Sequence, residues 1–107
     1  IICINVLTYL DNIYKHLEKL IKIANKTIII RESFYIRDIY KYVPDNFLDH
    51  NLKLNTYVNT YSVKKISNFL KNFDCKFSFI QDEYTNGKVT KVIGYNHYWK
   101  FLKIIKN

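Results

Sequence analysis

Residues 1–7, Ile-Ile-Cys-Ile-Asn-Val-Leu, open the phrase IICINVLTYLDN (1–12), and how these seven are read decides the fold. An almost unbroken apolar run is the pattern of a strand buried on both faces of a parallel sheet, and such a strand needs neighbours. Downstream, Asp11 or Asn12 is placed to cap a helix, and Ile13, Leu17, Leu20, Ile21 and Ala24 share one helical face, which predicts a helix over 11–24. Asn25 suits the left-handed residue that ends a helix, and the following KTIIIRE predicts a second buried strand over 26–32. Strand, helix and strand within about 32 residues make a βαβ unit, with parallel strands and a right-handed crossover. Polar residues appear abruptly at both strand ends, Asn5 and Thr8 after the first and Arg31 and Glu32 after the second. In open α/β sheets that carboxyl edge is where ligands bind.

The bulk properties bound this reading. A length of 107 residues, with 49% apolar and 24% charged residues, predicts a single globular domain and excludes a disordered tail. No apolar stretch approaches the roughly 20 residues that cross a bilayer, and no secretory leader pattern is visible, so a cytoplasmic protein without a membrane partner is expected. Cys3 and Cys75 have no metal-ligand spacing and read as small buried hydrophobes, with neither a disulfide nor a zinc site expected. The net charge of +8 invites a nucleic-acid reading, yet only Arg31 and Arg37 among the 17 basic residues are arginines, the type favoured for bidentate phosphate recognition. The dominance of Ile, Lys, Asn, Tyr and Phe, all encoded by A/T-rich codons, accounts for the charge without such a partner. The absence of any Met makes the sequence read as a piece whose beginning is missing.

Residues 34–61 are aromatic-rich, broken by Pro44 and without a sustained period; they read as a lid, a binding loop or a surface excursion, with a short helix suggested by Ile36, Ile39, Tyr40 and Val43. Ser62 is a natural N-cap, and Val63, Ile66, Phe69, Leu70 and Phe73 form one apolar stripe, predicting a helix over 62–73. Phe77 and Phe79 alternate with polar neighbours, and Asn86-Gly87 is the strongest short hairpin signal in the chain. Two closing strands are therefore expected at about 76–84 and 96–105, although Tyr98, Phe101, Leu102 and Ile105 also suit a helix.

Taken in order, these elements resemble the C-terminal half of the class I S-adenosylmethionine-dependent methyltransferases, the Rossmann-like family. Val6, Leu7 and Leu10 match a V-L-x-x-L segment at the end of the family's fourth strand; residues 11–24 match the helix after it, 26–32 its fifth strand, and 62–73 a later helix. DEYTNGKV (82–89) and HYWKFL (97–102) are similar to its closing antiparallel hairpin. The resemblance implies an α/β fold, a partial Rossmann-like sheet with parallel strands 1–7 and 26–32, in which residues 1–107 are a single partial domain. The family's Pro-Gly-Gly before the fifth strand is replaced by Ala24, Asn25 and Lys26, and its glycine-rich cofactor turn has no counterpart, because Gly87 and Gly94 are the only glycines.

The same resemblance implies a fragment that transfers a methyl group from S-adenosylmethionine to a small-molecule or biosynthetic acceptor when complete, and is inactive alone. Cys3, Ile4 and Asn5 then pass beside the methionine moiety of the cofactor, and Tyr9, Arg31, Glu32, Tyr57 and Tyr61 face the acceptor. His97 joins the substrate-binding set as a base if it faces the pocket, and is otherwise structural. Arg31 and Glu32, adjacent in a strand, point to opposite faces. Asp82 and Glu83 form an acidic pair without matching His or Cys, so no metal is expected. The competing reading is a small basic α+β module that binds nucleic acid or another polyanion.

Overall fold

The computed structural model describes residues 1–45 and 54–107. In chain order the elements are β1 (Ile2–Ile4), a 3₁₀ turn (Leu7–Tyr9), α1 (Ile13–Ile23), β2 (Thr27–Tyr35), β3 (Tyr42–Pro44), β4 (Asn55–Tyr57), β5 (Tyr61–Ser62), α2 (Val63–Leu70), β6 (Cys75–Gln81), β7 (Thr90–Val92), β8 (Tyr95–His97) and β9 (Trp99–Lys106). The main sheet has the order β1-β2-β9-β6, with β5 also on β2.

The Rossmann-like parallel sheet expected from the sequence is not formed. Parallel pairing is confined to three residues of β1 and two of β5 against β2, and the long ladders β2–β9 and β9–β6 are antiparallel. The physical cause is the nature of the connection. Residues 82–98, between β6 and β9, form a turn and the small β7–β8 ladder and hold no helix, so β9 returns against β6. A parallel pair would need a crossover element, usually a helix, that packs back on the sheet.

The first strand is also corrected. It spans three residues rather than 1–7 and lies at the sheet edge, with Ile2 70% and Ile4 48% exposed. Asn5 turns the chain at φ 56, and residues 7–9 coil into the 3₁₀ turn instead of extending. The second strand reaches further than 26–32, to Tyr35. α1 is capped by Asn12, whose side chain accepts from the amides of Tyr14 and Lys15. Ser62 caps α2 by accepting from Lys65 N, and that helix ends at Leu70, short of Phe73.

The closing strands are 75–81 and 99–106 rather than 76–84 and 96–105. Asn86 (φ 52) and Gly87 (φ 73) do adopt left-handed conformations, yet they lie in the turn region before β7 rather than joining the two sheet strands. Of the 34–61 segment, Phe34 and Tyr35 end β2, and β3 and β4 pair as a small antiparallel ladder; the suggested short helix there is not formed, and residues 46–53 lie outside the described residues.

Both helices cover one face of the sheet. Ile13, Leu17 and Ile21 of α1 and Ile66 and Leu70 of α2 meet Ile28, Ile30, Phe34, Leu102 and Ile104, which alternation puts on a single face. The opposite face carries Ile2, Ile4 and Ile80 at the edge strands, all exposed, and is covered only toward Trp99. No helix among the described residues is long and apolar enough to cross a membrane.

Candidate functional site

β1 runs parallel to β2 and stops opposite Arg31, so Asn5 and the turn after it meet Arg31 and Glu32 of β2. Glu32, fully buried within β2 just past the end of β1, accepts hydrogen bonds from the backbone amides of Val6 (2.7 Å), Leu7 (2.6 Å) and Thr8 (2.9 Å). Its carboxylate holds the 3₁₀ turn, supplying acceptors to amides that have no partner at the start of a helical turn. Burial pushes its carboxyl up to about 7, against the pull of those three amides.

Around this turn lies a buried network. Thr8 Oγ1 donates to Asn59 O (2.6 Å) and sits 3.2 Å from His97 Nε2, while His97 Nδ1 donates to Tyr95 O (3.0 Å). With both donations made, a neutral imidazole meets the Thr8 oxygen with a bare Nε2; only the imidazolium would fill all three contacts. Burial works the other way and lowers the His97 pKa. Asn59 uses every polar group it has: its amide donates to Thr8 O, its side-chain nitrogen to Leu10 O, and its side-chain oxygen accepts from Lys41 N. Tyr61 Oη donates to Leu7 O at 2.6 Å.

On the other face of β2, Arg31 makes a bidentate pair with Asp82, Nε to Oδ1 at 3.1 Å and Nη2 to Oδ2 at 2.8 Å, and Nη1 donates to Asn5 Oδ1 at 2.7 Å. The guanidinium lies 4.8 Å over the Trp99 ring. Asp82 also accepts from the amide and hydroxyl of Thr85, and Arg31 first, then Thr85, hold its carboxyl down at about 2 against the opposing effect of burial. The acidic pair noted in the sequence is thus divided, with Asp82 committed to Arg31 and Glu83 exposed.

The sequence-named residues are therefore mostly brought together, but as scaffold. Asn5 and Arg31 bond each other; Glu32, Tyr61 and His97 surround the turn. Cys3 is half-buried against the core, and Ile4 is exposed on the edge strand. Tyr9 is partly exposed on the turn, and Tyr57 pairs with the Tyr42 ring in the β3–β4 ladder. His97 is completely buried and faces Thr8 and Trp99, so it does not reach a cleft as a base.

The accessible feature lies one layer further out. A cleft of about 520 Å³ opens between residues 37–41, just past β2, and residues 91–98 of the β7–β8 ladder. Arg37, Lys41 and Lys91 line it, with Val58 and Tyr98 among the walls. Its walls are fixed from behind. Ile39 and Thr60 exchange backbone hydrogen bonds at 2.8 Å, Val58 N donates to Lys41 O, and Tyr98 N donates to Ser33 Oγ. Lys41 Nζ stands 4.7 Å over the Tyr95 ring, and the Tyr98 ring stacks on Tyr35 at 3.9 Å. The sequence reading placed none of the three basic residues of this lining at a site, because Lys and Arg are scattered along the chain and only the fold gathers these.

Among the described residues no cluster of three or more His, Cys, Asp or Glu is placed to hold a metal ion. Nor do these residues by themselves fit S-adenosylmethionine. The two glycines stand in turns near β7 rather than at a parallel strand end, and the one acidic group at such an end, Glu32, is filled by backbone amides. Comparison with known protein families, curated proteins and solved structures finds no match.

Proposed function

We propose that the chain supplies the acceptor-binding side of an S-adenosylmethionine-dependent methyltransferase acting on a small molecule. The observation that carries this reading is the position of the cleft, just past the carboxyl end of β2. The reading otherwise rests on the sequence resemblance at Val6, Leu7 and Leu10, at 26–32 and at 62–73. Methyl transfer from a sulfonium demands little covalent help from protein and depends on holding the acceptor in line. A small cleft whose walls are tied down by Asn59, Thr60 and Ser33 supplies that positioning.

The test is incubation of the full natural chain with methyl-labelled S-adenosylmethionine and a panel of small acids, phenols and phosphates, together with titration by S-adenosylhomocysteine. Label in a small-molecule product and micromolar product binding are expected. Failure of both overturns the reading. Residues 1–107 alone are expected to show no tight cofactor binding, and a sub-micromolar calorimetric affinity would contradict that.

The second reading, a basic module for polyanions, is favoured by the net charge of +8 and the gathering of Arg37, Lys41 and Lys91. It requires oligonucleotide binding that weakens linearly in log–log form with added salt.

A further inference from the structure

We infer that the cleft between residues 37–41 and 91–98 is an oxyanion site, which takes a small organic phosphate or carboxylate through Arg37 and Lys91. Two observations carry this. Among the described residues neither Arg37 nor Lys91 forms an ion pair, while the acidic group of the cleft, Asp38, is already engaged, accepting from Ser62 N at 2.7 Å and pairing with Lys65 Nζ at 2.9 Å. Three cations therefore line a concave space whose carboxylate is neutralised by a fourth, and the charge left over is positive. The second observation is shape. A volume of about 520 Å³ falls within the few hundred to about 1,000 Å³ that small-ligand sites occupy and is too small to enclose a polymer.

The chemistry of the two free cations suits the assignment. A guanidinium presents two parallel donors to a carboxylate or phosphate, and an ammonium adds a point charge from a second wall. Lys41 is partly held by the Tyr95 ring, which leaves Arg37 and Lys91 as the groups that respond to a ligand. Val58, buried beneath, offers an apolar floor to the organic part.

The anion site does not depend on methyl transfer; calling its ligand the acceptor rests on the reading above. The experiment uses the ¹⁵N-labelled chain, titrated with inorganic phosphate, phenyl phosphate or benzoate without any methyl donor. Amide shifts are expected at residues 37–41 and 91–98 with phenyl phosphate, benzoate or both, and the stronger of the two identifies the anion. The double variant Arg37→Gln/Lys91→Gln, with an unchanged circular dichroism spectrum, should weaken binding by roughly tenfold or more, as the loss of charged hydrogen bonds requires. Lys64→Gln, an exposed lysine outside the cleft, should leave binding unchanged. No shifts with any probe at about 10 mM, shifts mapping elsewhere, or a double variant that binds like the native chain would overturn the inference. So would binding of a single-stranded oligonucleotide in the absence of small-anion binding. Failure of methyl transfer with the cleft shifts intact would sink the enzyme reading alone.

Discussion

Glu32 and His97 place two opposed titrations within one buried network. Burial raises the folded pKa of Glu32 from 4.5 to about 7, so the folded chain keeps a proton that the unfolded chain has lost, and this contribution to stability fades as pH rises from about 4.5 to 7. The folded pKa of His97 is lowered from 6.5, so its contribution is present above that value and fades as pH falls through it. Below pH 6.5 the two contributions therefore change with pH in opposite directions and partly offset. Glu32→Gln removes one half of the balance. Its urea midpoint, followed from pH 8 to 5, should fall more steeply with acid than that of the native chain, and should start lower because one amide loses its acceptor, at a cost of about 1–3 kcal/mol. Equal pH profiles would show that the two groups do not oppose each other. Arg31 and Asp82 give a simpler expectation, since both are nearly buried and each is the other's main partner. Asp82→Asn should lower stability by about 3 kcal/mol in urea unfolding at pH 7, chiefly through the uncompensated guanidinium.

At the scale of elements, the β7–β8 turn stores strain beside the cleft. Val92 pairs with Tyr95, and the two residues between them, Ile93 at φ 52 and Gly94 at φ 82, both adopt left-handed conformations. Such a two-residue turn suits Asn-Gly, whereas a β-branched residue at positive φ is strained by about 1–2 kcal/mol. Ile93→Asn is therefore expected to raise the melting temperature, with a gain of about 1 kcal/mol. A lower melting temperature would mean that the half-buried Ile93 side chain packs better than its backbone suggests. The 3₁₀ turn at Leu7–Tyr9 shows the opposite economy: its local sequence is apolar and strand-like, and a long-range carboxylate overrides that preference.

Across the whole molecule, the helices pack one face of the sheet, while the other is covered around Arg31, Asp82 and Trp99 and leaves apolar side chains exposed at both edges. Ile2 and Ile4 stand on the edge strand, with Ile80 on the far strand of the same sheet, and all three are exposed. An exposed apolar edge strand is a template for pairing with another chain. The native chain should therefore associate increasingly with concentration in sedimentation velocity, and Ile2→Lys should reduce that association without changing the melting temperature. Identical sedimentation of the two proteins would remove the edge as the cause.

Local pattern by itself determined the helices and the long strands β2 and β6 of this protein: the apolar stripes of 13–21 and 63–70, the caps Asn12 and Ser62, and the Ile28–Ile30 and Phe77–Phe79 strands arise from periodicity and hydrogen-bonding chemistry within a few residues. Only the tertiary structure decided the rest. That Ile1–Leu7 would yield a three-residue edge strand depended on Glu32, some 25 positions away, capturing the turn. The antiparallel sheet depended on a return between β6 and β9 that holds no crossover helix, and the cleft on side chains from residues 37–41 and 91–98 meeting across it. An apolar run states that a residue prefers to leave water. It does not state which neighbour excludes the water, and that is settled by long-range pairing.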